Sequence, residues 1–371
     1  MSHADQLLVV ERPGEVGFRA EPLDGPPPEG KFDVQTLYSG LSAGTELAFV
    51  KGTHPRLKTG WDNELGLFTG DGQHDGYPVL RWGYMQVGRV VASRSRALAP
   101  GTLVAMAYGH RGGYRGDPLA DRVVPLPDNL DPLLGIYVAH MGPICANGLL
   151  HAAAELHGTD VRSLADGVAG LRIAVTGAGV VGLLTALFAR QHGADDVVLI
   201  DPTPERRRVA EALGFATADP DTDDVAVLLK TRWRHRPGDR GADLVFQCRG
   251  QAASLGLALR LLRPQGTVID LAFYQAGAGE LRLGEEFHHN GLSLRCAQIG
   301  RMPRGLAHLW DRERLSAETI ALLRAEGKPI LDHLITDIVP IGRAPELISA
   351  LSERRRHVLQ AVFTFDDGPG R

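Results

Sequence analysis

The chain is short of several things that would otherwise direct its reading. Cysteine is one: only Cys145, Cys248 and Cys296 occur in 371 residues, and they lie far apart. No two of them have the spacing of a zinc loop or a redox dithiol, and three scattered thiols make no disulfide framework. A reducing compartment is the default. Net charge is also small, at −4, so neither nucleic acid nor an anionic surface is implied as a partner. The basic run 206–208 falls on a predicted helix and reads as a solvated face. Long apolar runs are missing too. The apolar stretch 133–154 is broken by His140, Pro143 and Asn147, which argues against a membrane span. No basic segment followed by an apolar one stands near the first residue, so no secretory signal is expected. A cytoplasmic protein is expected, with a small molecule as its expected partner, and the chain is long enough for two domains.

Glycine is not scarce, and one stretch uses it in a pattern. Residues 173–201 read IAVTGAGVVGLLTALFARQHGADDVVLID. A short β-branched run leads into Gly177, Gly179 and Gly182. A helical pattern from Val180 to His192 follows and stops at Gly193. A second buried strand, 197–200, ends at Asp201. This is the strand, glycine turn, helix, strand and acid order of a dinucleotide site. Gly177 permits the tight turn, Gly179 lets a pyrophosphate approach the backbone, and Gly182 lets the helix pack on the sheet. The amides of Val180 and Val181 open the helix and face the phosphates. Asp201 is suited to accept hydrogen bonds from ribose hydroxyls and to repel a 2′-phosphate. That favours NAD over NADP, although Arg206 and Arg207 nearby keep NADP in view.

Around this stretch the pattern divides. Residues 1–135 are rich in glycine, proline and short β-runs, at 6–11, 33–38, 86–92, 103–107 and 122–126. They suggest a mainly antiparallel β domain. A long irregular segment, 51–81, lies within it, and such loops are usually functional or mobile. From about residue 136 strands and helices alternate, with strands also expected at 244–248, 267–273 and 292–296. That predicts an α/β fold with a Rossmann doubly wound parallel sheet over 136–296. The tail, 297–371, carries helices expected at 317–326 and 345–353 and a strand at 357–365.

A β-rich domain before a dinucleotide domain resembles the medium-chain dehydrogenase/reductase superfamily, with its zinc alcohol dehydrogenase-like fold. The resemblance rests on 38–46 (YSGLSAGTE), Gly83-Tyr84-Met85 with 88–91 (GRVV), the 177–182 loop and Gly266-Thr267-Val268. It implies a GroES-like first domain, a tail that returns to it, an active site in the cleft between domains, and a homodimer paired through the edge strand near 292–296.

The same resemblance exposes a missing metal site. Where zinc members carry a cysteine after the strand at 33–38, this chain has Ser42. Their Gly-His-Glu motif reads Gly83-Tyr84-Met85, so Tyr84 replaces a histidine ligand. His140 and Cys145 lie near the third ligand position without clear alignment. Neutral hydroxyls are poor zinc ligands, so no catalytic zinc is expected, and with three cysteines the four-cysteine structural site cannot form. The chain resembles a zinc-free branch that includes bacteriochlorophyllide dehydrogenase-like proteins.

Something must then manage the proton at the reacting oxygen. Tyr84 is the first candidate, against the alternative that it only fills the vacant metal space. Ser42 and Thr45 are candidates for a proton relay, with helix capping as the alternative for Thr45. Glu46 is a candidate to bind a polyol hydroxyl or to cap the same helix, and His140 is a candidate acid–base residue. His54 and His74, in the irregular segment, are weaker candidates for substrate contact. Three functions remain open. One is a zinc-independent NAD-dependent oxidoreductase that interconverts an alcohol and a ketone on a polyol, cyclitol, sugar or secondary metabolite. Another is an NAD(P)H-dependent enone or quinone reductase, and the third is a non-catalytic nicotinamide-binding protein.

Overall fold

A six-stranded parallel sheet carries the glycine turn. The computed structural model describes residues 6–70 and 76–365. The strands of this sheet run in the order Ala216–Ala218, Asp196–Ile200, Arg172–Thr176, Ala242–Gln247, Leu262–Asp270, Ser293–Cys296. Every neighbouring pair is parallel. Chain order moves outward from Arg172–Thr176 one way, then restarts at Ala242–Gln247 and moves the other way. The connections that leave the carboxyl ends of these two paired strands run to opposite sides at that reversal, which makes the crevice where α/β folds hold ligands.

The strand sequences follow from burial on both faces. Ile173, Ala174 and Val175 are fully buried, as are Val245, Phe246, Val268 and Ile269. The helices Val180–Gln191 and Ala252–Leu261 both pack on Arg172–Thr176, so these strands have no polar face to alternate. Where the helices Met141–His157 and Arg312–His333 meet, they touch closely. A Cβ on Gly142 would lie 2.1 Å from Thr319 Cγ2. Arg312–His333 also buries Leu315, Leu322 and Leu323.

That helix moves a boundary. The compact unit is Met141–Leu334, whereas the sequence reading ends it at 296, with its last strand. The same reading stops the tail helix at Glu326, before Gly327 and Pro329. The observed helix continues through Pro329 to His333. A proline removes one amide from the ladder, and burial of Gly327 and Ile330 holds the helix past it.

The other unit comprises Met1–His140 with Ile335–Arg371. Its seven-stranded sheet runs in the order Ile335–Pro340, Gln360–Thr364, Phe32–Leu41, Gln86–Ser93, Leu103–Met106, Val124–Pro125, and Gly113–Gly116 also pairs with Phe32–Leu41. All pairings are antiparallel except that of Ile335–Pro340 with Gln360–Thr364. The expected strand at 122–126 shrinks to Val124–Pro125 at the sheet edge, where a residue without an amide hydrogen is tolerated. The first strand, Gln6–Arg12, stays out of this sheet and forms a hairpin with Glu15–Ala20. The irregular segment includes a small hairpin, Gly60–Asp62 with Leu67–Thr69. Among the described residues no helix is long and apolar enough to cross a membrane.

Candidate active site and cofactor cradle

The three glycines of the turn have different surroundings. Gly177 has φ +100°, a backbone that other residues adopt only with strain. A Cβ on Gly182 would fall 1.8 Å from the Gly177 carbonyl oxygen. These two glycines are therefore required by the turn itself. Gly179 is different: a Cβ there would have only Arg206 Nη1 near it, at 4.0 Å. Its lack of a side chain keeps open the space above the helix start. Gly179 is the N-cap residue of Val180–Gln191, and no side chain caps that end. The first-turn amides of Val180 and Val181 have no carbonyl four residues back within the helix, and both residues are half-buried. Together these features fit an anionic phosphate.

Asp201 departs from its expected role. Its carboxylate is buried, at 1% exposure. One oxygen accepts from the Ala178 amide at 2.9 Å and the other from the Thr203 amide at 2.8 Å. It first serves to clamp the glycine turn to the end of the strand Asp196–Ile200. Arg206 Nη1 lies 3.6 Å from the same carboxylate, so the charge that was expected to repel a 2′-phosphate is partly neutralised. Arg207 turns away, to the Asp201 carbonyl oxygen and to Asp219. Arg206 Nε is buried without a hydrogen-bond partner among the described residues. An orphaned donor beside an open helix start fits a phosphorylated ligand.

In the other unit, strand register assembles a second group. Ser39 pairs with Gln86 in antiparallel register, and the Gly40 amide donates to the Met85 carbonyl at 2.8 Å. The residues just past one strand therefore lie beside those just before the other. Ser42 and Tyr84 meet this way, hydroxyl to hydroxyl, in a short hydrogen bond. The Tyr84 ring packs against His140, with centroids 4.5 Å apart and planes tilted by 56°. Ser42 is buried, while Tyr84 and His140 are half-buried. Three of the five sequence candidates are thus brought together.

Thr45 and Glu46 stand elsewhere. Ser42 is the N-cap residue of the helix Ala43–Val50, but its side chain does not cap it. Thr45, offered as the cap, is a half-buried residue inside that helix. Glu46 is 1% exposed, and both its oxygens are engaged. One accepts from the Ser42 amide at 3.0 Å and the other lies 2.7 Å from His110 Nε2. It has no surface to offer a substrate hydroxyl, which corrects that expectation.

His110 proves central to this packing. Its Nδ1 lies 2.7 Å from Ser39 Oγ, and Gln86 Nε2 donates to the same oxygen at 3.0 Å. One tautomer satisfies the whole chain. Gln86 donates to Ser39, Ser39 donates to Nδ1, and Nε2–H donates to the Glu46 carboxylate. Ser39, His110 and Glu46 have the order of a hydrolytic triad, but Ser39 and His110 are fully buried, so no substrate reaches them. Gly83, with φ +90°, allows this packing: a Cβ there would lie 2.7 Å from His110 Nε2. His54 stacks on Phe49 at 4.0 Å and accepts from the Arg56 amide, so local packing accounts for it. His74 lies outside the described residues.

The donor set around Tyr84 does not fit zinc. It offers a serine hydroxyl and a phenol already bonded to each other, and one imidazole packed at a tilt against the phenol ring. Zinc sites need thiolate, imidazole or carboxylate donors converging on a point.

The chain is similar to known dehydrogenases. The zinc-binding dehydrogenase family profile matches residues 180–309. D-guloside 3-dehydrogenase of Escherichia coli K12 is 30% identical over 175 residues, 47% of this chain and 49% of that one. L-galactonate-5-dehydrogenase of the same organism is 26% identical over 197 residues, 53% of this chain and 52% of that one. The chain spans about half the length of the curated relatives it matches. Among solved structures, 2R,3R-butanediol dehydrogenase from Bacillus subtilis superimposes with TM-score 0.71 at 18% identity, covering 97% of this chain and 99% of that one. A zinc-binding dehydrogenase from Sinorhizobium meliloti 1021, bound to NADP, gives TM-score 0.69 at 22% identity over 97% and 98%.

Proposed function

We propose that the chain is a member of the medium-chain dehydrogenase/reductase superfamily and a nicotinamide-dependent oxidoreductase that interconverts an alcohol and a ketone without a catalytic metal. One observation carries the reading. The strand order that makes a dinucleotide crevice ends, at its first turn, in an open helix start beside Gly179 with an orphaned donor on Arg206. The bound nicotinamide supplies the hydride chemistry. Gly177, Gly179, Gly182 and the amides of Val180 and Val181 hold its phosphates, and Asp201 fixes the turn that presents them.

Tyr84 manages the proton. Its phenol donates to the reacting oxygen as negative charge builds there, and it recovers a proton in the reverse direction. Ser42, hydrogen-bonded to it, orients the hydroxyl, and His140 packs against the ring. Sugar and sugar-acid derivatives are the favoured substrate class, because the matched Escherichia coli proteins are named for dehydrogenation of a guloside and a galactonate. NAD is the favoured carrier, since Asp201 retains its carboxylate beside the cradle, and NADP remains within reach of Arg206. Fluorescence titration with NADH and NADPH tests the cofactor reading, and NADH should bind more tightly. Turnover of an enone with NADPH, and of no hydroxyl substrate, would overturn the alcohol–ketone assignment.

A further inference from the structure

The dinucleotide sheet is built from two similar halves. Arg172–Thr176, Asp196–Ile200 and Ala216–Ala218 form one, and Ala242–Gln247, Leu262–Asp270 and Ser293–Cys296 form the other. They run outward in opposite directions from the reversal point, so the second strand of each half occupies a corresponding place. In the first half that strand leads into Ile200-Asp201. In the second it ends in Ile269-Asp270. An aspartate therefore stands at the carboxyl end of both second strands. The first lies beside the glycine turn. The second lies across the reversal point, on the half of the crevice that the far end of a bound dinucleotide enters.

Asp270 is held there by a network. Its Oδ1 accepts from the Ala272 amide at 2.9 Å, and its carboxylate is hydrogen-bonded to Tyr274. Tyr274 in turn accepts from Gln247 Nε2 at 3.0 Å. Gln247 is the register partner of Asp270 on the adjacent strand, and Thr176 Oγ1 and Ser254 Oγ donate to its Oε1. The polar row Thr176, Gln247, Asp270 thus runs along the carboxyl edge of three adjacent strands. Burial raises the pKa of Asp270, and the Ala272 and Tyr274 donors work against that rise. Among the described residues no arginine or lysine pairs with this carboxylate. A fixed carboxylate without a cation beside it needs a purpose.

We propose that Asp270 lies against the nicotinamide riboside half of the bound cofactor and favours its oxidised, cationic form. This rests on the oxidoreductase reading above. The nicotinamide ring carries a positive charge when oxidised and none when reduced. A carboxylate nearby attracts the first and is indifferent to the second, and in a partly desolvated crevice the difference is substantial. Asp270 is a positioning and selectivity residue in this account: it favours loading with the oxidised cofactor and, by stabilising the cation, makes the bound reduced form the stronger hydride donor.

The test compares affinities and needs no substrate. Wild type, Asp270→Asn and Asp270→Ser are titrated with oxidised NAD, with NADH and with ADP-ribose, which lacks the nicotinamide. Both replacements keep an oxygen that can accept from the Ala272 amide, and circular dichroism checks that each folds. The expected result is that oxidised NAD weakens about tenfold relative to NADH in both variants, while ADP-ribose is unchanged. An unchanged ratio of oxidised to reduced affinity in folded variants that still bind ADP-ribose overturns the proposal and leaves the cofactor reading intact. If wild type binds none of the three, the cofactor reading falls and this inference falls with it.

Discussion

Replacing Tyr84 by phenylalanine removes one oxygen and leaves the ring in place against His140. The structural cost is then limited to the hydrogen bond with Ser42 Oγ. Such a bond contributes about 1 kcal/mol net, and Ser42, at the buried end of the strand Phe32–Leu41, keeps its backbone bonds. The fold should survive with a small drop in stability. The chemical cost is of another size. If the phenol carries the proton at the reacting oxygen, kcat falls by roughly 10²–10⁴-fold, which is about 3–5 kcal/mol of barrier. Binding of NADH should stay the same, because the cradle at 177–182 lies in the other unit. The assay is steady-state oxidation of a polyol or glycoside, run beside NADH titration and urea unfolding. A Phe variant that keeps kcat within a few-fold, with normal NADH affinity, removes Tyr84 from the mechanism and leaves it as filler of the former metal space.

Arg206→Ala should weaken NADPH more than NADH, because the exposed part of its guanidinium is the cation nearest the open face of Gly179; equal losses in paired titrations would assign it to the pyrophosphate shared by both. Protein purified without chelators should contain no stoichiometric zinc, and one tightly held zinc per chain in elemental analysis would overturn the reading of Ser42 and Tyr84 as non-ligands. His110→Ala should destabilise its unit by ~3–5 kcal/mol in urea unfolding, since it leaves the buried Glu46 carboxylate without its charge-assisted partner. A loss below about 1 kcal/mol would mean that water or a neighbour replaces the imidazole.

The parts of this site that are legible in the sequence are those built by local chain. The glycine turn, the helix after it and Asp201 occupy 173–201, and each position there answers to backbone geometry that a short stretch determines. Even so, the partner of Asp201 was not legible. The Thr203 amide is a local turn contact two residues on, but the Ala178 amide reaches the carboxylate only because the strand Asp196–Ile200 lies beside Arg172–Thr176. The same reasoning explains Glu46. From sequence it sits in the first turn of a helix, free to cap or to bind. In the fold it is committed to His110, 64 residues away. That pairing depends on Gly83 having no side chain and on Ser39 meeting Gln86 in register. Neither condition can be read from the residues around Glu46.

Asp270 is the instructive contrast. The two strands read VVLID and TVID, each apolar and each closed by Ile-Asp. That echo was available in the sequence, but it gains meaning only with strand order. An aspartate after a buried strand ends many strands through ordinary turn chemistry. It becomes a candidate for a ligand when the two strands prove to be counterparts across the reversal point, and when its hydrogen bond to Tyr274 continues from Tyr274 to Gln247 on the adjacent strand. Tyr84 and Ser42 show the limit from the other side. The resemblance to zinc enzymes picked out both residues, and the antiparallel register joined their hydroxyls. A pair so joined is a proton path if a substrate oxygen reaches the phenol, and a packed vacancy if none does. The Phe variant separates these two because it keeps the packing and deletes the path.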